Sequence, residues 1–212
     1  PYSALGYMHH AQGGGETIAP SASSVTGKDA VVDWVFLEVR GQSEPSQVIA
    51  TRSCLVQRDG DVVDLDGVSP VRLYVPSGQY HLAIRHRNHL GVMTAGTHLF
   101  TIGTLVSVHF DLPATATFGN NAQRDVSGVN TLWSGDVNGN GQVKYAGGGN
   151  DRDPILVTIG GTVPTATVNG YLSADCTLDG VVKYAGGNND RDHILQTVGG
   201  TVPTAVRNAQ LP

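Results

Sequence analysis

Charge is scarce in this chain. Asp, Glu, Lys and Arg make up only 15% of its 212 residues, and the formal net charge is -5. No basic field exists to attract a phosphate backbone, which argues against nucleic acid as a partner. Long apolar runs are missing as well: none approaches the roughly 18 to 20 residues that a membrane-spanning helix requires, so no membrane insertion is expected. No basic stretch followed by an apolar segment opens the sequence. Cysteine is limited to Cys54 and Cys176, and their separation rules out the CxxC spacing of redox and zinc sites. Two buried thiols, or a disulfide formed in an oxidising compartment, both remain open. GxSxG, HExxH and a phosphate-cradling glycine loop are all absent, so catalysis has no residue-level support and the chain reads as a non-enzyme.

Glycine, by contrast, is abundant at 28 residues, and Val and Thr recur while aromatics are only 6%. That balance favours short strands and tight turns over helices. Three segments are expected. Residues 1–28 form an N-terminal extended arm, 29–127 a β-sandwich, and 128–212 a small repeated module. The start at Pro1, with no initiator Met or tag, fits a mature exported protein.

Self-similarity organises the last third. From Asp136 the chain reads DVNGNGQVKYAGGGNDRDPILVTIGGTVPTA, and from Asp175 it reads DCTLDGVVKYAGGNNDRDHILQTVGGTVPTA. The second copy follows 39 residues after the first (175 minus 136), without a gap, and 22 of the 31 aligned positions are identical. A calcium loop needs oxygen donors at positions 1, 3 and 5, a glycine at 6 for the sharp turn, and a backbone carbonyl at 7. Asp136, Asn138, Asn140, Gly141 and the carbonyl of Gln142 supply this in the first repeat. Asp175, Thr177, Asp179, Gly180 and the carbonyl of Val181 supply it in the second. An EF-hand closes with a carboxylate at position 12, but Gly147 and Gly186 stand there. Asp151 and Asp190, four residues on, are the expected closing ligands. Asp153 and Asp192 are expected as helix N-caps that also coordinate, with Pro154 at the first helical position. Unpaired, these carboxylates would repel one another, which favours two Ca2+ ions over metal-free turns. Neutral Asn and Thr donors suggest affinities on the order of 0.1 to 1 mM, suited to a structural extracellular ion.

The paired DxNxNG and DxxxDG loops, each followed by an Ile-Leu helix, resemble type I dockerins. The longer stretch, with VVDWVFLEVR, RDGDVVDLDG and HRNHLGVMTAG upstream, looks like the C-terminal module of large secreted surface proteins of Bacteroidota. The enlarged glycine loop departs from dockerins. Relative to that module the two cysteines look unusual, which raises a Cys54–Cys176 disulfide as an expectation.

Upstream, period-two alternation predicts strands over Val31–Arg40, Gln47–Arg58, Val62–Leu65, Val71–Val75, Gln79–Arg87, His98–Ile102 and Leu105–Leu112. Turn chemistry at Asp59-Gly60, Asp66-Gly67 and Pro76-Ser77-Gly78 separates several of them. The run through PSGQY resembles prealbumin-like domains. The expected fold is therefore mainly β, an Ig- or prealbumin-like sandwich followed by a dockerin-like loop-helix duplication. On one strand face His81, Arg85, Arg87 and His89 read as an anion or metal site or, equally, as a wet polar face. Asp59, Asp61, Asp64 and Asp66 read as turn residues rather than a third calcium site. The arm carries candidate anchors Tyr2, Leu5, Tyr7 and Met8, laid either on its own sheet or across a neighbouring copy.

Three functions fit. One is a secreted, calcium-stabilised structural subunit at the cell surface, polymerising with itself into a filament or layer. A second is a dockerin-type adaptor recognising a surface protein through Gln142, Lys144, Arg152, Lys183 and Arg191. The third is a carbohydrate-binding accessory domain.

Overall fold

The computed structural model describes every residue except Gln12. The chain is mainly antiparallel β, and among the described residues only two α-helices occur, both in the repeated module. Six strands form the main sheet: β1 (Val31–Gly41), β2 (Val48–Gln57), β3 (Val62–Val63), β4 (Gly78–His86), β5 (His89–Met93) and β6 (His98–Phe100). Their order is β3-β2-β1-β4-β5, with β6 beside β5 on the same side of β4. Register pairs Val35 with Cys54 and Leu37 with Arg52 on one flank of β1, and Phe36 with Arg85 on the other.

Alternation along β1 decides what each face holds. Val35, Leu37 and Cys54 form one buried cluster, packed with Val56, Val62, Val71 and Ile84. The opposite face carries Phe36, Glu38 and Arg40, and it is buried too. The N-terminal arm covers it. Tyr2, Tyr7 and His9 surround Phe36 with ring centroids 5.3, 5.2 and 5.2 Å away. The Tyr2 hydroxyl donates to the Trp34 carbonyl at 2.9 Å, and the Tyr7 hydroxyl to the His86 carbonyl at 3.0 Å. Further on, the His10 N–H donates to Thr51 Oγ1 at 2.9 Å, and Glu16 accepts from the Ser53 N–H and hydroxyl. Of the two paths open from sequence, the arm takes the one along its own sheet. Gly13 permits the closest approach, because a Cβ there would collide with the Thr51 carbonyl.

Burial also corrects the expectation of a wet polar face around His81 and Arg87. Both are buried: His81 is bonded to the Thr94 carbonyl, and Arg87 is enclosed by Asp33, the Tyr171 ring and the Leu172 carbonyl. Glu38 accepts from Arg40 at 2.6 and 2.8 Å and from Arg85 at 3.1 Å. Arg87 donates to both Asp33 oxygens at 2.6 and 2.7 Å. Burial alone would raise the Asp33 pKa, but hydrogen bonds from His86 and Arg87 hold it well below the usual carboxylate range. The acidic turns do not converge either: Asp59 pairs with Lys28, Asp64 with Arg52, and Asp66 accepts from the Val68 and Ser69 N–H groups.

Two expected strands are not laddered. Residues 71–76 and 104–109 have no regular secondary structure, and neither joins a sheet. The cysteines are both free and buried in different clusters, so the Cys54–Cys176 disulfide is not formed. After a small hairpin of β7 (Gln123–Val126) and β8 (Val129–Leu132), the chain enters the repeats.

Each repeat contributes a strand, a helix and a second strand: β9 (Gln142–Lys144), α1 (Arg152–Thr158) and β10 (Thr167–Asn169), then β11 (Val181–Lys183), α2 (Asp190–Val198) and β12 (Val206–Asn208). The second strands are exchanged. β10 pairs with β11 of the following repeat, and β12 returns to pair with β9 of the first. Neither repeat can close its own sheet, which is why the duplication is an obligate pair. The core shows the same equivalence: Val143 and Val182, Ile155 and Ile194, Ile159 and Val198, and Val137 and Cys176 are matched and buried. Cys176 thus occupies the place of a valine, a small core hydrophobe.

Candidate metal centre

Both loops begin against the tip of the β4–β5 hairpin. The carbonyl of Asn88 accepts from the Gly135 and Asp136 N–H groups at 2.8 and 3.0 Å. Its side-chain amide donates to the carbonyls of Ser173 and Asp175 at 3.0 and 2.6 Å. One buried asparagine therefore ties the first residue of each loop to the sheet. Beside it, Arg87 donates to the Leu172 carbonyl, and its guanidinium lies 3.8 Å from Asp175 Oδ2. Leu90 of β5 completes the junction by packing into the core of the repeats.

Inside loop one, the Asp136 carboxylate accepts from the Asn140 and Gly141 N–H groups, both at 3.0 Å. Asn138 Oδ1 accepts from the Asn140 N–H at 3.1 Å, and Asn140 Oδ1 from the Gln142 N–H at 2.9 Å. These contacts wind positions 1 to 7 into a tight coil held by its own side-chain oxygens. Loop two repeats it, with Asp175 accepting from the Asp179 and Gly180 N–H groups at 3.2 and 3.0 Å. Asp179, which also ion-pairs with Lys183 at 3.2 Å, accepts from the Val181 N–H at 2.9 Å.

The glycine-rich excursion returns Asp151 and Asp190 to these coils. Asp151 accepts from the Val137, Asn138 and Lys144 N–H groups at 2.9, 3.3 and 2.8 Å. Asp190 accepts from the Cys176, Thr177 and Lys183 N–H groups at 2.7, 3.0 and 2.7 Å, and from the Thr177 hydroxyl at 3.2 Å. Both aspartates are wholly inaccessible to solvent. Burial, with the nearby Asp136 charge, pushes the Asp151 carboxyl up to about 7. Burial and Asp175 likewise raise Asp190. Each repeat therefore brings two buried carboxylates near one another; in the second, Arg87 offsets part of the Asp175 charge, whereas among the described residues no ion pair reaches Asp136 or Asp151.

Asp153 and Asp192 take a different place. Their side chains are substantially exposed, and each bonds to an adjacent arginine and to the amide of Asn150 or Asn189. Capping also shifts: Asn150 and Asn189 accept from the Asp153 and Asp192 N–H groups at 2.9 and 2.8 Å. The asparagine precedes the aspartate in NDRD because an N-cap must lie ahead of the N–H it receives. That signal was present in the repeated motif, whereas nothing local in the sequence marks Asn88.

Oxygen-only donors around a buried carboxylate pair fit a hard divalent cation such as Ca2+. Asp136, Asn138, Asn140, Asp151 and the Gln142 carbonyl would hold one ion; Asp175, Thr177, Asp179, Asp190 and the Val181 carbonyl would hold the second. Among the described residues no group of three or more His, Cys, Asp and Glu side chains converges.

The repeats differ at position 4 of the loop. Gly139 and Leu178 both take the left-handed conformation, with φ of 68° and 60°. Left-handed backbone costs a side-chain-bearing residue roughly 1–2 kcal/mol, and Leu178 lies at the surface, 44% exposed, so packing recovers only part of this. Leu178→Gly should raise stability by about 1 kcal/mol in urea unfolding; a loss would place Leu178 among the supporting contacts.

Comparison with family models, curated proteins and solved structures returned no match to this chain.

Proposed function

We propose that the chain is a calcium-stabilised structural module of a secreted surface assembly. The observation that carries this reading is the duplicated coil in which Asp136 faces Asp151 and Asp175 faces Asp190, all buried. Calcium would neutralise these pairs and fix the loops. Because Asn88 joins both loop starts to the hairpin, it would also stiffen the junction between the β unit and the repeats. The ions act as struts and not as switches, since weak, neutral-rich sites stay filled at extracellular calcium.

A separable adaptor is less well supported, because Leu90 lies in the core of the repeats and would be lost with the β unit. Electron microscopy of the protein in calcium tests the structural reading. Fibres or layers that disperse on chelation are expected; dispersed particles in both conditions would refute it.

A further inference from the structure

Between the arm, the main sheet and the first loop lies an open cleft of about 730 Å³. Its walls come from parts of the chain that the sequence keeps far apart: Tyr7 and Met8 of the arm, Glu38 of β1, Arg85 of β4, Asp136 of loop one and Leu211 near the chain end. Sites for small molecules run from about 300 to 1,000 Å³ and combine apolar walls with a few fixed polar groups. This cleft has both.

Its charged groups are not equally engaged. Glu38 is almost wholly buried and uses both oxygens, Oε2 on Arg40 at 2.6 and 2.8 Å and Oε1 on Arg85 at 3.1 Å. Arg40 is spent, because its remaining bonds go to the Pro45 and Pro212 carbonyls, each at 3.1 Å. Asp136 accepts from the N–H groups of its own loop. Arg85 differs. Among the described residues its guanidinium makes one hydrogen bond, to the carboxylate it shares with Arg40, and 40% of its side chain is exposed. Tyr7 fixes it from the other side, with the guanidinium carbon 4.7 Å from the ring centroid. That ring is itself anchored by Phe36 and by its hydroxyl bond to the His86 carbonyl. Arg85 thus offers the cleft a positioned planar fork with unspent donors, the geometry that takes a carboxylate on two parallel bonds.

We infer that the cleft binds a sugar acid, its carboxylate seated on Arg85 and its hydroxyls against the walls. The walls select the body of the ligand. Ser173 and His10 line the cleft, half-buried, and their side chains make no hydrogen bond among the described residues. Hydroxyls would satisfy them, whereas an apolar acid would bury them unpaired. A phosphate ester, at about −2 charge, would set two charges on one free guanidinium. Met8 and Leu211 leave an apolar margin for the face of a sugar ring. The inference goes beyond the structural reading and does not depend on it, since Arg85, Tyr7 and Glu38 belong to the sheet and the arm.

Calorimetric titration of the intact chain at saturating calcium tests it, with glucuronate, an oligosaccharide ending in glucuronate, and glucose as ligands. One acid per chain is expected, bound at least tenfold more tightly than glucose. Tighter binding of the oligosaccharide would identify the ligand as a glycan end, and tighter binding of the monomer a free sugar acid. Arg85→Met should weaken the acid at least tenfold with calcium binding unchanged, and it should fold, because Glu38 keeps both bonds from Arg40. Met8 lies on the cleft and is 76% exposed, so changes there spare the fold. Met8→Glu should weaken the acid and Met8→Lys tighten it, each by about threefold. No binding of either acid, equal affinity for glucose, an Arg85→Met variant that binds as the native chain does, or equal effects of the two Met8 changes would overturn the inference.

Discussion

Calcium at about 10 mM should stabilise the protein by roughly 5 kcal/mol over its chelated form. If each site binds at about 0.1 mM, a hundredfold excess contributes about 2.7 kcal/mol per site, and two sites add. Unfolded loops do not gather these oxygens, so the linkage is nearly complete. The gain should appear as a rise in the denaturant midpoint with little change in slope. Asp136→Ala with Asp175→Ala should abolish the calcium dependence, and either change alone should remove about half. A midpoint indifferent to calcium would mean that the duplicated coils fold on hydrogen bonds alone.

Asp190→Ala should cost about 6 kcal/mol or more in calcium, through loss of the ion and of its three backbone contacts. Removing the carboxylate strands the buried N–H groups of Cys176, Thr177 and Lys183, each a penalty of about 1–3 kcal/mol when unsatisfied. Asp151→Ala should behave alike, because Val137, Asn138 and Lys144 depend on it in the same way. In chelator the loss should be smaller, since the substitution also removes one of two facing buried charges. Asp153→Ala makes the contrast: its carboxylate is exposed and bonds only Asn150 and Arg152, so the change should stay within about 1 kcal/mol. Equal losses for Asp151→Ala and Asp153→Ala would reverse these assignments. Chemical denaturation of the variants with and without calcium measures all of them.

These residues also show how far the sequence could be read. Duplication exposed the coils, because identical spacing at Asp136 and Asp175 marks what the backbone must repeat. It located Asp151 and Asp190 as the returning carboxylates, since only glycine-rich chain lies between. It misjudged Asp153 and Asp192, where the cap lies one turn position earlier at Asn150 and Asn189. Strand periodicity found β1, β2 and β4 but also suggested ladders at 71–75 and 105–112. Alternation reports a buried face, not a backbone partner, and those runs have the first without the second. Burial of Glu38 and Arg40 was invisible because it comes from the arm, whose glycines and serines show no period, and from the chain end, where the Pro212 carbonyl accepts from Arg40. The Asn88 tie was likewise hidden, since it joins residues that only the folded sheet brings to the repeats.

The most direct measurement is the stoichiometry of calcium binding to the intact chain by titration calorimetry. Two ions per chain are expected for the native sequence, one for Asp136→Ala or Asp175→Ala, and none for the pair together. No binding by the folded native chain at 10 mM calcium, or two ions still bound by the double variant, would contradict the assignment of these loops as metal sites.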